Sequence, residues 1–416
     1  MFPFRSQLAF SLLTVFLVFG QQCIARISER PEAPRRNPHG RVLAGVDVLE
    51  ERNFDPLHGK RVGLVTNQTG VDAHGRRTID VLRSAPGVRL VALFSPEHGI
   101  AGGSRDDVIE DSADQATLLP IYSLYGNIRR PTDEMLKGID MLVFDIQDVG
   151  VRFYTYITTM AYSMEAAASH HIPFVILDRP DPLGGEVIEG PMLDPGRTSF
   201  TGYFPLPVRY AMTVGELARM FNTENHIGAD LQVVLSSNWS RRESYDQTGL
   251  DWIPPSPHLQ TVNAAFLYPG VEILQAGGVS VGRGTDAPFE ALGAPWINAE
   301  AFAAELNRRT IPGVRFESDR FIPRESPYDD ESCSGARIHI TDRDSFRSIR
   351  MGLEIADALN RMYPEQFQLQ QVMTLLGSQS TIDRLKRGDA PRDIIAGWST
   401  DLDRFRNLRE KYLLYH

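Results

Sequence analysis

Between Val42 and Leu235, short runs of branched apolar residues alternate with longer stretches of helical periodicity. The strand-like runs are Arg61–Thr66, Val88–Phe94, Met141–Asp145, Phe174–Asp178 and Leu231–Leu235. They are continuously apolar rather than alternating, so each strand is expected to be covered on both faces, as in a mostly parallel sheet between two helix layers. The intervening helices are predicted over Thr78–Arg83, Thr132–Lys137, Thr155–Ser169 and Thr213–Asn222, the last opened by a Thr213/Glu216 capping box. The chain is long enough, at 416 residues, for a further domain. A second region follows the proline cluster at Pro254, Pro255 and Pro257, with strands expected over Val271–Leu274 and Ala336–Thr341. Its helices are expected over Ala299–Arg309, Ser348–Arg361 and Asp401–Tyr412. The expected fold class is therefore α/β, a doubly wound, mostly parallel sheet over 41–265 with a smaller α+β domain over 266–416.

In such sheets ligands gather beyond the carboxyl ends of the strands, near the point where strand order reverses. Four strands end in polar turns: Thr66-Asn67-Gln68-Thr69-Gly70, Ser95-Pro96-Glu97-His98-Gly99, Asp145-Ile146-Gln147-Asp148-Val149-Gly150, and Asp178-Arg179-Pro180-Asp181-Pro182. Glu97 stands out, because Pro96 pins the backbone before it and Gly99, Gly102 and Gly103 after it permit close approach of a ligand. A carboxyl held in a partly desolvated cleft suits general-acid work. Asp145, Asp148, Asp178 and Asp181 supply further carboxylates, and glycoside hydrolysis needs two about the scissile bond. The same aspartates have structural uses: Asp145 can accept from backbone donors at its strand end, and Asp148 can pair with Arg152 four residues on.

No histidine stands at metal-ligand spacing among these aspartates, so no metal is expected. The segment Gly277–Thr285 presents Arg283 in a glycine-rich loop but lacks the Lys-Ser/Thr of a phosphate loop. No nucleotide cofactor is expected, and such a loop suits a carboxylate or a sugar better. Trp239, Trp252, Trp296, Tyr154 and Tyr156 are aromatic candidates for sugar stacking, each with a core role as the alternative. No G-x-S-x-G is present to form a nucleophile elbow.

Arg5 followed by the apolar run Leu8–Phe19 and by Ala25 reads as a cleavable leader over 1–25. Gln21 and Gln22 before Cys23 argue against lipidation, and the proline- and arginine-rich 26–40 reads as a flexible linker. The expected location is periplasmic or secreted, with no stable membrane association once the leader is cut. Removing it leaves Cys333 as the one cysteine, expected as a half-buried structural thiol with no disulfide. The net charge of −10 argues against nucleic acid as a partner.

Read in order, VGLVTNQTG, FSPEHGIAG, DIQDVGVRFYTYITTM, LDRPDPLGG, MTVGELA, PSPHLQT and SVGRGTDAPFEALGAPW resemble the NamZ-type exo-β-N-acetylmuramidases. The resemblance runs from Val42 to the C-terminal tyrosines. It implies a Rossmann-like catalytic domain and a smaller auxiliary domain with the active site in the cleft between them. It also implies release of N-acetylmuramic acid from the non-reducing end of peptidoglycan fragments, that is, muramic acid–glucosamine saccharides, with no cofactor. The family's acid/base glutamate maps onto Glu97. His98 and the Gln147–Asp148 pair, Arg152, Tyr154 and Arg283 match its other motifs, with His98 and Asp148 expected beside Glu97 in catalysis. Asn67, Gln68, Gln147, Arg152, Tyr154, Arg179 and Arg283 are the expected substrate contacts, the arginines as bidentate partners of the lactyl carboxylate. Ser280-Val281 and His258 depart from the family's usual residues. A non-catalytic periplasmic glycan-binding protein and a metal-dependent hydrolase built on the aspartates are the alternatives.

Overall fold

A computed structural model describes residues 40–106 and 108–416; the expected leader, and the linker up to residue 39, lie outside them. Six parallel strands and one short antiparallel edge strand form the main sheet: β1 (Arg61–Thr66), β2 (Arg89–Ser95), β3 (Ser112–Ala113), β4 (Pro120–Ser123), β5 (Met141–Asp145), β6 (Phe174–Leu177) and, after a small antiparallel pair β7 (Glu189–Met192) and β8 (Pro207–Arg209), β9 (Leu231–Val234). Their order across the sheet is β3-β4-β2-β1-β5-β6-β9. The chain thus steps outward from β1 through β2 and β4, then returns to the other side of β1 with β5.

Alternate side chains of each strand enter opposite cores. Val62 and Leu64 of β1 and Val143 of β5 join Leu49, Ile79 and Leu82, from the helices α1 (Gly45–Glu51) and α2 (Thr78–Ser84). Val65, Phe94, Leu142 and Phe144 face the other way. They pack with Met160 and Leu217, beyond the short α3 (Asp133–Leu136), from α4 (Tyr156–Ser169) and α5 (Val214–Glu224). Burial on both faces is why these strands read as unbroken apolar runs. The predicted capping box holds: Thr213 Oγ1 accepts from Glu216 N, and the Glu216 carboxylate accepts from Thr213 N at 3.0 Å.

The smaller domain carries a three-stranded antiparallel sheet, β10 (Ala291–Ala294), β12 (Cys333–Ile340) and β11 (Val314–Phe321) in that order. Around it lie α6 (Val262–Gln275), α7 (Ala299–Arg308) and α8 (Ser348–Met362). The core that holds Phe144 continues through Leu267, Phe302 and Leu359, so the two domains share apolar packing. Cys333 is fully buried, and its thiol is pushed up to about 11 by desolvation first and by Glu331 second, which keeps it inert.

One expected strand is a helix. Val271–Leu274 lies inside α6, whose first turn is capped by Thr261 Oγ1 accepting from Ala264 N at 2.9 Å. The helix is buried almost all round, so its apolar residues show no stripe, and a short apolar run taken alone has no decisive period. The strands β3, β4, β10 and β11 were not expected: their sequences are short, glycine-bearing or charged.

α6 and α8 touch through glycines. A Cβ on Gly270 would stand 1.9 Å from Ser348 O, and one on Gly352 would stand 2.3 Å from Gly270 O. Ser348 Oγ fixes the crossing by accepting from Gly270 N at 2.9 Å and donating to Leu267 O at 3.1 Å. Gly270→Ala is expected to cost about 1–3 kcal/mol by forcing these helices apart, read as a lower urea midpoint with an unchanged m-value.

Candidate active site

Strand order reverses between β1 and β5, and the register there sets Thr66 opposite Asp145. The turns after both strands therefore emerge side by side and are stitched together. Asn67 Oδ1 accepts from Thr69 N at 3.0 Å and from Thr69 Oγ1 at 2.6 Å, and Thr69 Oγ1 accepts from Gln147 N at 2.9 Å. Gln147 Nε2 donates to Asp148 O and Pro180 O, each at 2.9 Å, which ties in the turn after β6. Asn67 is oriented by these bonds so that its Nδ2 lies beside the buried Tyr156 hydroxyl.

Glu97 follows β2 and is half-buried. Thr155, at the N-cap of α4, makes no capping bond; its Oγ1 donates to Glu97 Oε2 at 2.5 Å. Next to it, Tyr156 OH donates to Pro255 O at 2.6 Å and lies 3.4 Å from Glu97 O. One carboxylate oxygen of Glu97 is thereby held by Thr155. His98 has φ +69° and donates from Nδ1 to Ser104 O at 2.9 Å, so in the neutral ring Nε2 is the acceptor. Gly102, also at positive φ, leaves room that the Gln68 amide fills: a Cβ there would come within 2.0 Å of it. Gln68 in turn donates to Pro254 O at 2.8 Å. Gly102 thus accommodates a protein side chain rather than the expected ligand, while Gly103 faces open space.

The opposite wall comes from the smaller domain and the segment leading to it. Glu272 on α6 is buried and accepts from Arg283 NH2 at 2.5 Å, while the Arg283 guanidinium lies 5.4 Å from the Phe289 ring centre. Burial raises Glu272 above the ordinary carboxyl range against the pull of Arg283, with the charge of Glu97 adding to the rise. Tyr268, one turn before Glu272, lies in the field of Glu272, Arg283, Glu97 and Asp148 together. At the rim, Glu325 accepts from His258 Nε2 at 2.8 Å and pairs with Arg105 at 2.5 Å. Desolvation, outweighing Glu325, holds His258 below the usual imidazole range.

The four strand-end aspartates divide into two kinds. Asp145 is fully buried and saturated by Arg179 Nε at 2.6 Å, Arg179 NH2 at 2.9 Å and Thr78 Oγ1 at 2.5 Å. Asp178 accepts from Arg179 N, Gly215 N, Thr213 Oγ1 and Tyr415 OH, pinning the start of α5 and the C-terminus. Asp148 receives Tyr210 OH and Gly150 N on Oδ2 only, and Asp181 receives Leu183 N on Oδ1 only. Among the described residues no three His, Cys, Asp or Glu side chains could hold a metal ion.

Glu97, Asn67, Asp148, Tyr154 and Arg283 are therefore brought into one neighbourhood around Tyr156 and Tyr268. Gln68, Gln147 and His98 brace its loops. Two expected substrate arginines are corrected. Arg179 is bound to Asp145 and, from NH2, to Val71 O at 2.8 Å. Arg152, 1% exposed, meets no carboxylate of the Asp148 turn and instead donates to four carbonyls, of Pro191, Leu206, Leu375 and Leu376, at 2.7–3.0 Å. Desolvation pushes it down to about 9. Trp239 packs on Tyr415, and Trp252 on Tyr245, in the core. Sequence reasoning passed over Thr155, Tyr268, Glu272 and Glu325. Thr155 lay inside a quoted motif, whereas Glu272 was hidden by reading its helix as a strand. A separate polar cleft of about 460 Å³, between α7, α8 and residues 390–392, is closed on itself electrically: Arg309 pairs there with Glu305, Glu354 and Asp357.

The family model for the N-terminal part of the exo-β-N-acetylmuramidase NamZ matches residues 62–263, and that for its C-terminal part matches residues 266–415. The peptidoglycan β-N-acetylmuramidase NamZ of Bacillus subtilis is 41% identical over 411 residues, which is 98% of this chain and 99% of that protein. Two crystal structures of DUF1343 family proteins from Bacteroides fragilis share the fold. One has TM-score 0.84 and 42% identity, the other 0.73 and 29%; each match covers 90% of this chain and 99% of the other.

The carbonyl cage of Arg152 predicts that Arg152→Met loses about 3 kcal/mol or more of stability, since four buried acceptors are left without a donor. In the cold, where enough of the variant stays folded, its KM should match the parent, as checked by paired melting and steady-state measurements.

Proposed function

Because the chain belongs to the exo-β-N-acetylmuramidase NamZ family, and is a glycoside hydrolase, we propose that it releases N-acetylmuramic acid from the non-reducing end of peptidoglycan fragments, with Glu97 as general acid. The observation that carries this reading is a half-buried carboxylate with one oxygen held by Thr155 at 2.5 Å and the other free. In the forward step Glu97 Oε1 gives its proton to the glycosidic oxygen as the bond to the anomeric carbon breaks. Water supplies the hydroxyl that the anomeric carbon takes up, and the proton it sheds restores protonated Glu97 for the next turnover. The carboxylate separations that decide between inversion, an enzyme nucleophile and the substrate's acetamido oxygen involve Asp148 and Glu272, not the saturated Asp145 and Asp178.

Arg283 is the proposed partner of the lactyl carboxylate. Only one of its N–H groups is taken by Glu272, and its side chain is 26% exposed, unlike Arg152 and Arg179. Residues 41–265 would carry the acid and 266–416 the wall that reads the sugar. The leader pattern at Arg5, Leu8–Phe19 and Ala25 supports export to the compartment where this substrate lies.

Glu97→Gln is expected to keep the melting temperature and KM while lowering turnover of a chromogenic β-muramide at least ~10²-fold. Near parental turnover would remove Glu97 from the acid role, and saccharide binding by the parent with no product would favour a glycan-binding protein. Arg283→Met should lower kcat/KM for the muramide about 10²-fold and leave that for the matching glucosaminide unchanged. Equal losses on both would remove Arg283 from lactyl recognition.

A further inference from the structure

One carboxylate at the rim ties together the loop that carries Glu97 and the turn that carries Arg283. Arg105 follows the glycine-bearing loop that begins at Glu97. That loop is folded back on itself, with Ser104 N donating to His98 O at 3.2 Å and His98 Nδ1 donating to Ser104 O at 2.9 Å. From the smaller domain, Glu325 lies in the segment between β11 and β12, and its Oε1 meets Arg105 NH1 at 2.5 Å. Its other oxygen accepts from the buried His258, Nε2, at 2.8 Å. His258 belongs to the proline segment that holds two of the residues near Glu97: Pro254 O accepts from Gln68 Nε2, and Pro255 O accepts from Tyr156 OH. The segment bearing Glu325 also rests on the Arg283 turn. Gly284 has φ +74°, and a Cβ there would lie 2.6 Å from Arg324 N and 2.9 Å from Glu325 N.

The Arg105 side chain is 58% exposed, and an ion pair with so exposed a partner adds little to stability. Stability alone therefore does not account for a bridge between these two segments, whereas the shape of the sugar does. In N-acetylmuramic acid the lactyl group hangs on O3, the adjacent O4 is where a preceding sugar would be joined, and the anomeric carbon lies across the ring from O4. A sugar with its anomeric carbon at Glu97 and its lactyl carboxylate at Arg283 turns O4 toward what flanks the Arg283 turn. Glu325 flanks that turn. We propose that the Arg105–Glu325 bridge, anchored by His258, is the barrier on the O4 side of the sugar site, so that only a residue with a free 4-hydroxyl fits and a glycan is attacked from its end. This inference rests on the reading of Glu97 as acid and Arg283 as lactyl partner, and assigns Arg105 and Glu325 to specificity rather than to the chemical step.

A further sugar on O4 would have to push Arg105 away from Glu325. The Glu325 side chain, 19% exposed, would then face the glycan without its cation while its second oxygen stayed bound to His258. Its backbone cannot retreat, because Arg324 N and Glu325 N already stand against Gly284. A free 4-hydroxyl displaces nothing, and as a donor and acceptor it suits a rim of one carboxylate and one guanidinium.

The test uses the full chain and two chromogenic β-muramides, one with a free 4-hydroxyl and one carrying a β-linked N-acetylglucosamine on O4. The parent should turn over the first and leave the second uncut. Arg105→Ala removes a mostly exposed side chain and should keep the parent's melting temperature. It should raise the ratio of kcat/KM for the second compound over the first at least ~10-fold, with the intact disaccharide released and identified by mass spectrometry. Glu325→Ala should raise the same ratio, and Arg105→Lys, which keeps a cation opposite Glu325, should behave as the parent. A parent that cuts both compounds alike, or folded alanine variants whose ratio does not move, would overturn the barrier and leave the hydrolase reading standing. Calorimetry with both compounds on Glu97→Gln covers the opposite failure. Binding of the first compound alone, with both admitted once Arg105→Ala is added, would uphold the barrier even where the parent forms no product; binding of both, or of neither, before that change would overturn it.

Discussion

The parallel pairing of β1 with β5 is the contact on which the placement of the polar turns depends. With Thr66 opposite Asp145, two turns of quite different sequence leave the sheet at one height and in one direction. Thr66 Oγ1 donates to Asp145 O at 2.8 Å, and Thr69 Oγ1 links Asn67 to Gln147 immediately beyond the strands. A slip of one residue would turn every side chain of β1 to the wrong core, so the two apolar layers enforce the register that the polar turns require. The cleft is precise because the sheet beneath it has no freedom to slide.

Donor supply then sorts the carboxylates. At the ends of β5 and β6 the sequence offers four aspartates of similar appearance, and nothing in residue type separates them. The fold gives Asp145 a bidentate arginine and a hydroxyl, and gives Asp178 four donors, so both are parts of the frame. It gives Asp148 and Asp181 donors on one oxygen each. A carboxylate fully bonded in the interior has no capacity left for chemistry, while one that is half bonded keeps an oxygen free.

What was legible follows the same division. The strands β1, β2, β5, β6 and β9, the helices α2, α4 and α5, and the convergence of Glu97, Asn67 and Asp148 at one end of the sheet follow from local pattern plus the right-handed crossover rule. The arginines were not legible. Arg152 and Arg179 sit in the same motifs as the cleft residues, and whether a guanidinium meets ligand, carboxylate or carbonyl depends on chain segments far away, Leu375 and Leu376 in the case of Arg152. Glu272 was lost for a different reason. Its neighbours Val271 and Ile273 are branched and buried on every side, so the helix that carries it has the composition of a strand.

The wall opposite Glu97 explains why the smaller domain is built into the same core rather than tethered. Burial alone would make the charge of Arg283 costly to hold. Glu272 offsets that cost through a bond at 2.5 Å, and Phe289 covers the guanidinium from one side. Glu272 sits on α6, which is locked to α8 through Gly270 and Gly352, and Phe289 lies in the segment between α6 and β10. A flexible attachment would let water into the pair and let Arg283 turn toward solvent. The shared apolar core therefore keeps the Arg283–Glu272 pair in place against the larger domain.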